Sequence, residues 1–248
     1  IFVVSDLPLA DVTARLERSF GDWRAPAAPR GTKAFPADIA PTTARIVLID
    51  RPQSPQSIIY GGAVLPVSGT DDLLTLNAAN SVLGTDFLSR INADLRETKG
   101  WSYGVRGTVN ALQHRVPYIV NAPVQANRTG ESIAALIAQY ERFLTAEGVT
   151  PAERERTVNG ETRGLAGSYE TSGQILGALR SNALYGRPDD YQETLASRTR
   201  ALTADQMDAA ARAAIDPARF VWVVVGDASV VQPQLEALGL PVEVRQPE

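Results

Sequence analysis

The stretch VLGTDFLSRINADLRETKGWSYGVRGT, residues 82–108, decides how this sequence is expected to fold. Its first half carries apolar side chains at helical spacing, namely Phe87, Leu88, Ile91 and Leu95. Gly100 follows in the position of a helix-ending glycine. Apolar and aromatic side chains then alternate with small or polar ones, at Trp101, Tyr103 and Val105. The stretch therefore predicts a helix, a glycine break and a half-buried strand.

This hinge brings Arg96, at the end of the predicted helix, close to Tyr103, at the start of the predicted strand. A guanidinium offers five fixed N–H donors and a phenol offers one O–H donor, so the pair is suited to binding carbonyl oxygens. A purely structural alternative is that Arg96 pairs with a nearby carboxylate and that Tyr103 is a half-buried aromatic residue of the sheet. The residues alone leave both interpretations open.

The run FLSRINADLRETKGWSYGV, residues 87–105, closely resembles the pattern F-x-S-R-L-x-x-x-L-R-E-x-K-G-x-x-Y of insulinase/pitrilysin-type zinc metallopeptidases, where it lies in the second domain. Ile91 in place of leucine is a mild departure. The resemblance extends to LIDRPQSPQSII upstream and to YGRPDDY and VVVGD downstream. It implies that Arg96 and Tyr103 reach across to substrate bound at the zinc site of a partner domain. Arg90 is a further substrate-binding candidate or, with Glu97, orients the hinge.

The bulk composition is ordinary for a soluble globular protein, with 44% hydrophobic and 21% charged residues in a chain of 248. A net charge of −4 gives no electrostatic reason to expect a nucleic acid partner. The longest apolar runs, such as residues 220–225, have the length of a strand and are too short to span a membrane. The absence of cysteine excludes disulfides and thiolate metal sites but leaves the compartment open.

A hydrolytic zinc site needs three protein ligands and an open position for water. The family that the chain resembles builds this site from an H-x-x-E-H motif and a distant glutamate. The sequence has a single histidine, His114, in a predicted turn, so it cannot supply that motif. It also lacks calcium-loop, serine-hydrolase and phosphate-loop patterns. We expect no metal ligands here, and the resemblance implies that zinc is held by a homologous domain of the same polypeptide or of a partner subunit.

The two ends of the chain look like copies of one unit. In residues 1–21 and again in residues 220–239, a short apolar strand is followed by a small residue, an aspartate and a short helix closed by glycine. We therefore expect residues 1–24 to be the terminal strand and helix of a preceding homologous domain. Residues 25–43, rich in proline, are expected to be a linker, and residues 44–248 a non-catalytic peptidase-family domain. The start in mid-strand without methionine favours a piece of a longer protein.

The order of elements predicts an α+β, two-layer domain with a mixed, largely antiparallel sheet covered on one face by helices. Besides the hinge, strands are predicted at residues 1–4, 45–50, 57–64, 116–125 and 221–225. Helices are predicted at residues 71–83, 131–146, 152–165, 171–184, 191–200 and 203–214. Thr70 or Asp71 is expected to cap the first of these helices, whereas Thr150 and Thr203 are expected to cap later ones. Gly61-Gly62 indicates a bulge or a close packing point.

Two functions remain open from the sequence. The first is the substrate-binding half of a zinc metallopeptidase that cleaves peptides, with Arg96 and Tyr103 contributed to the zinc site of the partner domain. The second is a structural or protein-interaction domain of the same fold, because every zinc ligand is missing. The FGDW sequence at residues 20–23 is similar to that of often-exported bacterial relatives, so a periplasmic location is expected, with the cytoplasm as the alternative.

Overall fold

The computed structural model describes residues 1–28, 31, 34 and 40–247. The strands are β1 (Arg45–Asp50), β2 (Gln56–Leu65), β3 (Arg106–Val109), β4 (Val116–Gln125), β5 (Val221–Gly226) and β6 (Val242–Arg245). The helices are α1 (Leu9–Phe20), α2 (Leu74–Asn80), α3 (Arg90–Asn92), α4 (Thr129–Leu144), α5 (Pro151–Gly167), α6 (Ser172–Tyr185), α7 (Tyr191–Ala201), α8 (Ala204–Ala214) and α9 (Ala228–Glu236). Two π-helical turns extend α2 and α3, at Ser81–Thr85 and Ala93–Thr98. Two 3₁₀ turns lie at Ala126–Arg128 and Pro217–Arg219.

The six strands form one sheet in the order β3-β4-β2-β5-β1-β6. The pairs β3/β4, β4/β2 and β2/β5 are antiparallel, whereas β5/β1 and β1/β6 are parallel. At the centre of the sheet, Ile59 stands opposite Ala122 on one side and Val224 on the other. The predicted mixed, largely antiparallel sheet is confirmed.

The helices cover one face of this sheet, as its burial pattern shows. Along β2, Ile59 is fully buried, whereas its neighbours Ile58 and Tyr60 are 39% and 46% exposed. Leu136 and Tyr140 of α4 are fully buried in the same core. Successive residues of a strand point to opposite faces, so the alternation means that one face packs on helices and the other is open. The predicted α+β class is confirmed.

Two glycines leave room for buried aromatic side chains next to the backbone of the sheet. A Cβ at Gly61 would come within 2.3 Å of the Trp222 ring, and a Cβ at Gly107 within 2.3 Å of the Tyr118 hydroxyl. That hydroxyl is hydrogen-bonded to the Tyr140 hydroxyl at 2.9 Å inside the core. Any larger residue at either glycine would displace a buried ring, so the interpretation of Gly61 as a close packing point is confirmed.

Two predicted helix starts are confirmed as complete capping boxes. At α5 the Thr150 hydroxyl accepts from the Glu153 amide at 3.2 Å, and the Glu153 carboxylate accepts from the Thr150 amide at 2.9 Å. At α8, Thr203 and Gln206 form the same reciprocal pair. Such hydrogen bonds satisfy helix N–H groups that have no partner within the helix. Because the bonded residues lie three positions apart in the chain, these helix starts can be predicted from the sequence.

The cap predicted for the helix at residues 71–83 is wrong. The Asp71 carboxylate accepts from the Ser68 amide at 2.8 Å in a turn that precedes the helix. The α-helix begins at Leu74, and the Asp72 carboxylate accepts from the Leu74 amide at 3.2 Å. The polar residues ahead of α2 are thus used by a local turn, which delays the helix.

The predicted helix through Phe87 and Leu88 is also shorter than expected. Ser89 has an extended backbone, with φ −66° and ψ 154°, so the helix begins at Arg90. Phe87 and Leu88 consequently lie outside the helix and are exposed, while Ile91 and Leu95 are fully buried. The apolar spacing identified the buried pair correctly and the other two wrongly.

Residues 101–105 do not form the predicted strand. Ser102 makes a single bridge with Val124, and its hydroxyl donates to the Pro123 carbonyl at 2.6 Å and accepts from the Gly104 amide at 3.1 Å. Such side-chain bonds compete with a strand ladder, so the segment turns and the strand begins only at Arg106.

At the N-terminus the predicted helix is confirmed as α1, which runs to Phe20 and is followed by Gly21. The predicted strand at Ile1–Val4 is not formed, because a strand requires a partner and no described segment pairs with these residues. Strand β6 was missed. The assignment of residues 1–24 to a preceding domain stays a prediction. Residues 29, 30, 32, 33 and 35–39 of the expected linker lie outside the described residues.

Candidate functional site

The hinge is built on a widened helical turn. The Lys99 amide donates to the Asp94 carbonyl at 3.0 Å and the Trp101 amide to the Leu95 carbonyl at 2.9 Å, both longer steps than those of an α-helix. Gly100 then reverses the chain with a φ of +65°, a conformation that favours glycine. Leu95 is fully buried and anchors the turn. Single π-helical turns occur frequently at functional sites, so this segment is a candidate on geometry as well.

The structure brings Arg96 and Tyr103 together. The Arg96 Cζ atom lies 5.3 Å from the centroid of the Tyr103 ring and 4.4 Å from that of the Phe87 ring. Its Nε also pairs with the Glu97 Oε1 atom at 3.1 Å, and the side chain is 29% exposed. Two aromatic rings and one carboxylate thus orient the guanidinium while leaving part of it accessible.

Tyr103 presents its phenol to solvent. The residue is 88% exposed, and its hydroxyl has no hydrogen-bond partner among the described residues. Its backbone is held from both sides, because Ser102 binds the Pro123 carbonyl and the Asn92 side chain accepts from the Val105 amide at 2.9 Å. The half-buried sheet position considered for Tyr103 is wrong, whereas the carboxylate partner considered for Arg96 is found in Glu97.

Arg90 lies next to this site but points into the protein. Its Nε and Nη2 donate to the two carboxylate oxygens of Glu153 at 2.8 and 2.7 Å, and its terminal nitrogens also bind the Glu147 and Gly148 carbonyls. Its Cζ atom lies 5.0 Å from the centroid of the Phe143 ring. Arg90 therefore ties α3 to the start of α5. Its expected roles in orienting the hinge and in contacting substrate stay predictions.

The Arg90–Glu153 pair is electrostatically strong. Burial would raise the pKa of Glu153, but hydrogen bonds from Arg90 and from Thr150 outweigh it and bring the pKa to about 2. The hydrogen bond to Glu153 raises the pKa of Arg90. A bidentate arginine–carboxylate pair holds its two side chains in one relative orientation as well as stabilising them. This pair therefore holds the start of α3 against the start of α5.

A pocket of about 390 Å³ adjoins the two candidate residues. Its polar and aromatic walls include Asp86, Phe87, Arg96, Tyr103, Arg106 and Asn121. Burial raises the pKa of the Asp86 carboxyl group, and the positive charges of Arg156 and Arg106 oppose that rise. Sequence reasoning missed Asp86, Arg106 and Asn121. Arg106 lies opposite Asn121 because of the register between β3 and β4. A local sequence pattern does not encode that register, so it could not reveal this pair.

The described part of the chain contains no group of histidine, cysteine, aspartate and glutamate side chains that could hold a metal ion. His114 lies in the β3–β4 turn, two residues before Val116, at the opposite end of β4 from the Tyr103 hinge. The residues that the structure describes therefore do not fit a zinc site. Among the described residues, no helix is both long and apolar enough to cross a membrane.

Comparison with known proteins identifies relatives of this chain. A family model described as the peptidase M16 inactive domain matches residues 1–161. No protein among curated sequences gives a significant match.

Among solved structures, a peptidase M16 inactive domain from Pseudomonas fluorescens is 25% identical, with a TM-score of 0.77 over 90% of this chain and 52% of that chain. A protease from Helicobacter pylori is 15% identical, with a TM-score of 0.75 over 89% of this chain and 53% of that one. The periplasmic protease PqqL from Escherichia coli is 17% identical, with a TM-score of 0.72 over 90% of this chain and 25% of that one. The last two show a shared fold. The chain spans about half the length of the first two.

Proposed function

The chain belongs to the peptidase M16 family, whose inactive domain it matches, and we propose that it is the substrate-binding half of a zinc peptidase. In this proposal the metal and the water that it activates belong to a homologous partner domain, on the same polypeptide or on another subunit. The present chain supplies groups that hold the peptide.

The observation that carries the proposal is the pairing of Arg96 with an exposed Tyr103. The Arg96 guanidinium is held by the Phe87 and Tyr103 rings at 4.4 and 5.3 Å and by Glu97, so its position is fixed before any ligand binds. Preorganised donors lose little conformational entropy on binding. We assign to Arg96 a charge-assisted hydrogen bond to a backbone carbonyl of the peptide.

Tyr103 has a different role in this proposal. A phenol carries one O–H group, so it can donate one hydrogen bond to an oxygen that gains negative charge. The Tyr103 hydroxyl is free to do so, since no described residue competes for it. We assign to it the stabilisation of the oxyanion that develops at the scissile carbonyl, a contact stronger in the transition state than in the ground state.

The test is Tyr103→Phe in the complete protein. Loss of one oxyanion donor is expected to lower kcat about 10²-fold, while KM, zinc content and unfolding temperature change little. Tyr191→Phe is the matched control, because this tyrosine lies in α7 outside the pocket and is expected to leave kcat unchanged. Unchanged turnover in Tyr103→Phe would refute the assigned role.

Arg96→Lys tests the other half of the pair. Lysine keeps the positive charge but loses the planar fork of donors and its stacking on the rings of Phe87 and Tyr103. We expect a raised KM for peptide with little loss of zinc. An unaltered KM would argue against a substrate contact by Arg96.

The same preparation of the complete protein distinguishes the peptidase from the structural alternative. The complete protein is assayed for zinc and for cleavage of unfolded peptides, with this chain alone as the comparison. Zinc and cleavage in the complete protein support the peptidase. A complete protein with neither supports a structural or protein-interaction domain, the alternative favoured by the lack of a metal-binding group among the described residues.

We further propose that the protein acts in the periplasm, with the cytoplasm as the alternative. The support is the fold shared with the periplasmic protease PqqL. Fractionation of cells that express the complete protein tests this: recovery with a periplasmic marker enzyme is expected, and recovery with a cytoplasmic marker would overturn it.

A further inference from the structure

We propose that the pocket beside Arg96 is a subsite for a lysine or arginine side chain of the bound peptide, with the Asp86 carboxylate as its acceptor. The inference rests on the proposed function, because it names which peptides that site prefers. It concerns residues 85–87, 106 and 121, which lie beyond the Arg96–Tyr103 pair.

Asp86 is fixed in place but its carboxylate is not used. Its amide donates to the Ser81 carbonyl at 3.3 Å, and its carbonyl accepts from the Ser89 amide at 3.0 Å. In the part of the chain that the structure describes, no group donates a hydrogen bond to the carboxylate or forms an ion pair with it. Partly buried carboxylates normally find donors within the protein, so these open acceptor positions indicate a ligand that carries N–H groups.

The nearby arginines do not fill those positions. The Arg106 Nε donates to the Thr85 carbonyl at 3.2 Å, and Arg156 is exposed on α5. Both act on Asp86 only through longer-range attraction, which favours the ionised carboxylate. Asp86 is therefore a carboxyl acceptor with open hydrogen-bonding positions.

Two of the remaining walls, Phe87 and Asn121, suit a long side chain that ends in N–H donors. The pocket also contains Arg96, which pairs with Glu97, and Arg106, which binds the Thr85 carbonyl. The Asn92 side chain is engaged with the Phe87 carbonyl and the Val105 amide, whereas the Asn121 side chain has no hydrogen bond within the described structure and offers a second acceptor. Phe87 is 60% exposed and supplies apolar surface for an alkyl stem. Lysine and arginine combine such a stem with N–H donors at the end of the side chain. An ionised acidic side chain has no donor for the Asp86 carboxyl group.

The experiment uses the complete protein and sets of quenched fluorescent peptides that differ at one position. Each position near the cleaved bond is filled in turn with lysine, glutamine or glutamate. At one position we expect the lysine peptide to exceed the glutamine peptide about tenfold in kcat/KM. Asp86→Asn should bring that ratio close to one, Asp86→Glu should keep part of it, and Asp189→Asn, a surface control, should leave it unchanged.

Each outcome of this experiment either supports or overturns the proposed subsite. Because the ratio is taken within one variant, a general loss of activity cancels, and the unfolding temperature of Asp86→Asn verifies that it is folded. The subsite is overturned if no position prefers lysine, if Asp86→Asn keeps the preference, or if glutamate is preferred, which would assign the pocket to Arg106. Cleavage without preference refutes the subsite alone, whereas absence of cleavage by the wild type refutes the proposed function and the subsite with it.

Discussion

Replacing Glu153 with glutamine would remove the charge that holds Arg90 while leaving helix α5 capped. Glutamine is as acceptable as glutamate at this position of a capping box, and α6 and α8 of this protein use Gln174 and Gln206 there. The variant therefore isolates the ion pair from the cap. What it leaves behind is a largely buried guanidinium whose carboxylate partner has gone.

The magnitude follows from the pKa of Glu153. Its displacement from 4.5 to about 2 corresponds to about 3 kcal/mol of stability at roughly 1.4 kcal/mol per pH unit. Solvent reaches part of the pair and screens it, so we expect a loss of about 2 kcal/mol in the free energy of unfolding at pH 7. Because the folded pKa lies below the unfolded one, this contribution is complete above pH 4.5 and disappears as the pH falls towards 2.

The assay is urea unfolding at pH 7, 4 and 3, followed by tryptophan fluorescence, to which Trp222, fully buried in the core, contributes a signal that changes on unfolding. Gln206→Glu is the matched control, since it makes the inverse exchange in the capping box of α8 and should change stability by less than about 0.5 kcal/mol. The gap between wild type and Glu153→Gln should shrink between pH 7 and pH 3. A loss below about 0.5 kcal/mol at pH 7, or one of equal size at pH 3, would refute the reasoning.

Four further substitutions test the packing and the hinge by thermal or urea unfolding. Gly164→Ala should stabilise by about 0.4–1 kcal/mol, because a Cβ in α5 meets open space there, and a loss would contradict this. Its counterpart Gly130→Ala in α4 should destabilise by about 1–3 kcal/mol, because the Cβ would lie 2.6 Å from the Gln234 carbonyl oxygen; a neutral result would show that α4 can shift. Gly100→Ala should cost about 1–2 kcal/mol because of its φ of +65°, and an unchanged midpoint would mean that the turn relaxes. Leu95→Ala should cost about 2–5 kcal/mol, since the side chain is fully buried, and a loss below about 1 kcal/mol would contradict its anchoring of the hinge.

The sequence by itself determined the features that depend on neighbours along the chain. Thr150 and Thr203 were correctly predicted as helix caps, because their hydrogen-bond partners lie only three residues further along the chain. The strands predicted at residues 57–64 and 116–125 are likewise found as β2 and β4, and their burial patterns show that one face of each is buried. The resemblance of residues 87–105 to a family motif singled out Arg96 and Tyr103, which the fold places side by side.

Only the tertiary structure decided the exposure and the grouping of side chains. Phe87 and Tyr103 have the apolar spacing of buried residues, yet both are exposed. Phe87 precedes Ser89, whose extended backbone delays the helix, and Tyr103 follows Ser102, whose hydroxyl binds the Gly104 amide and turns the chain. Strand β6 forms because it can pair with the edge of β1, and its short sequence alone does not predict a strand. Asp86, Arg106 and Asn121 meet in one pocket because strand register and a π-helical turn bring distant parts of the chain together. Such contacts depend on three-dimensional packing, so spacing along the chain could not reveal them.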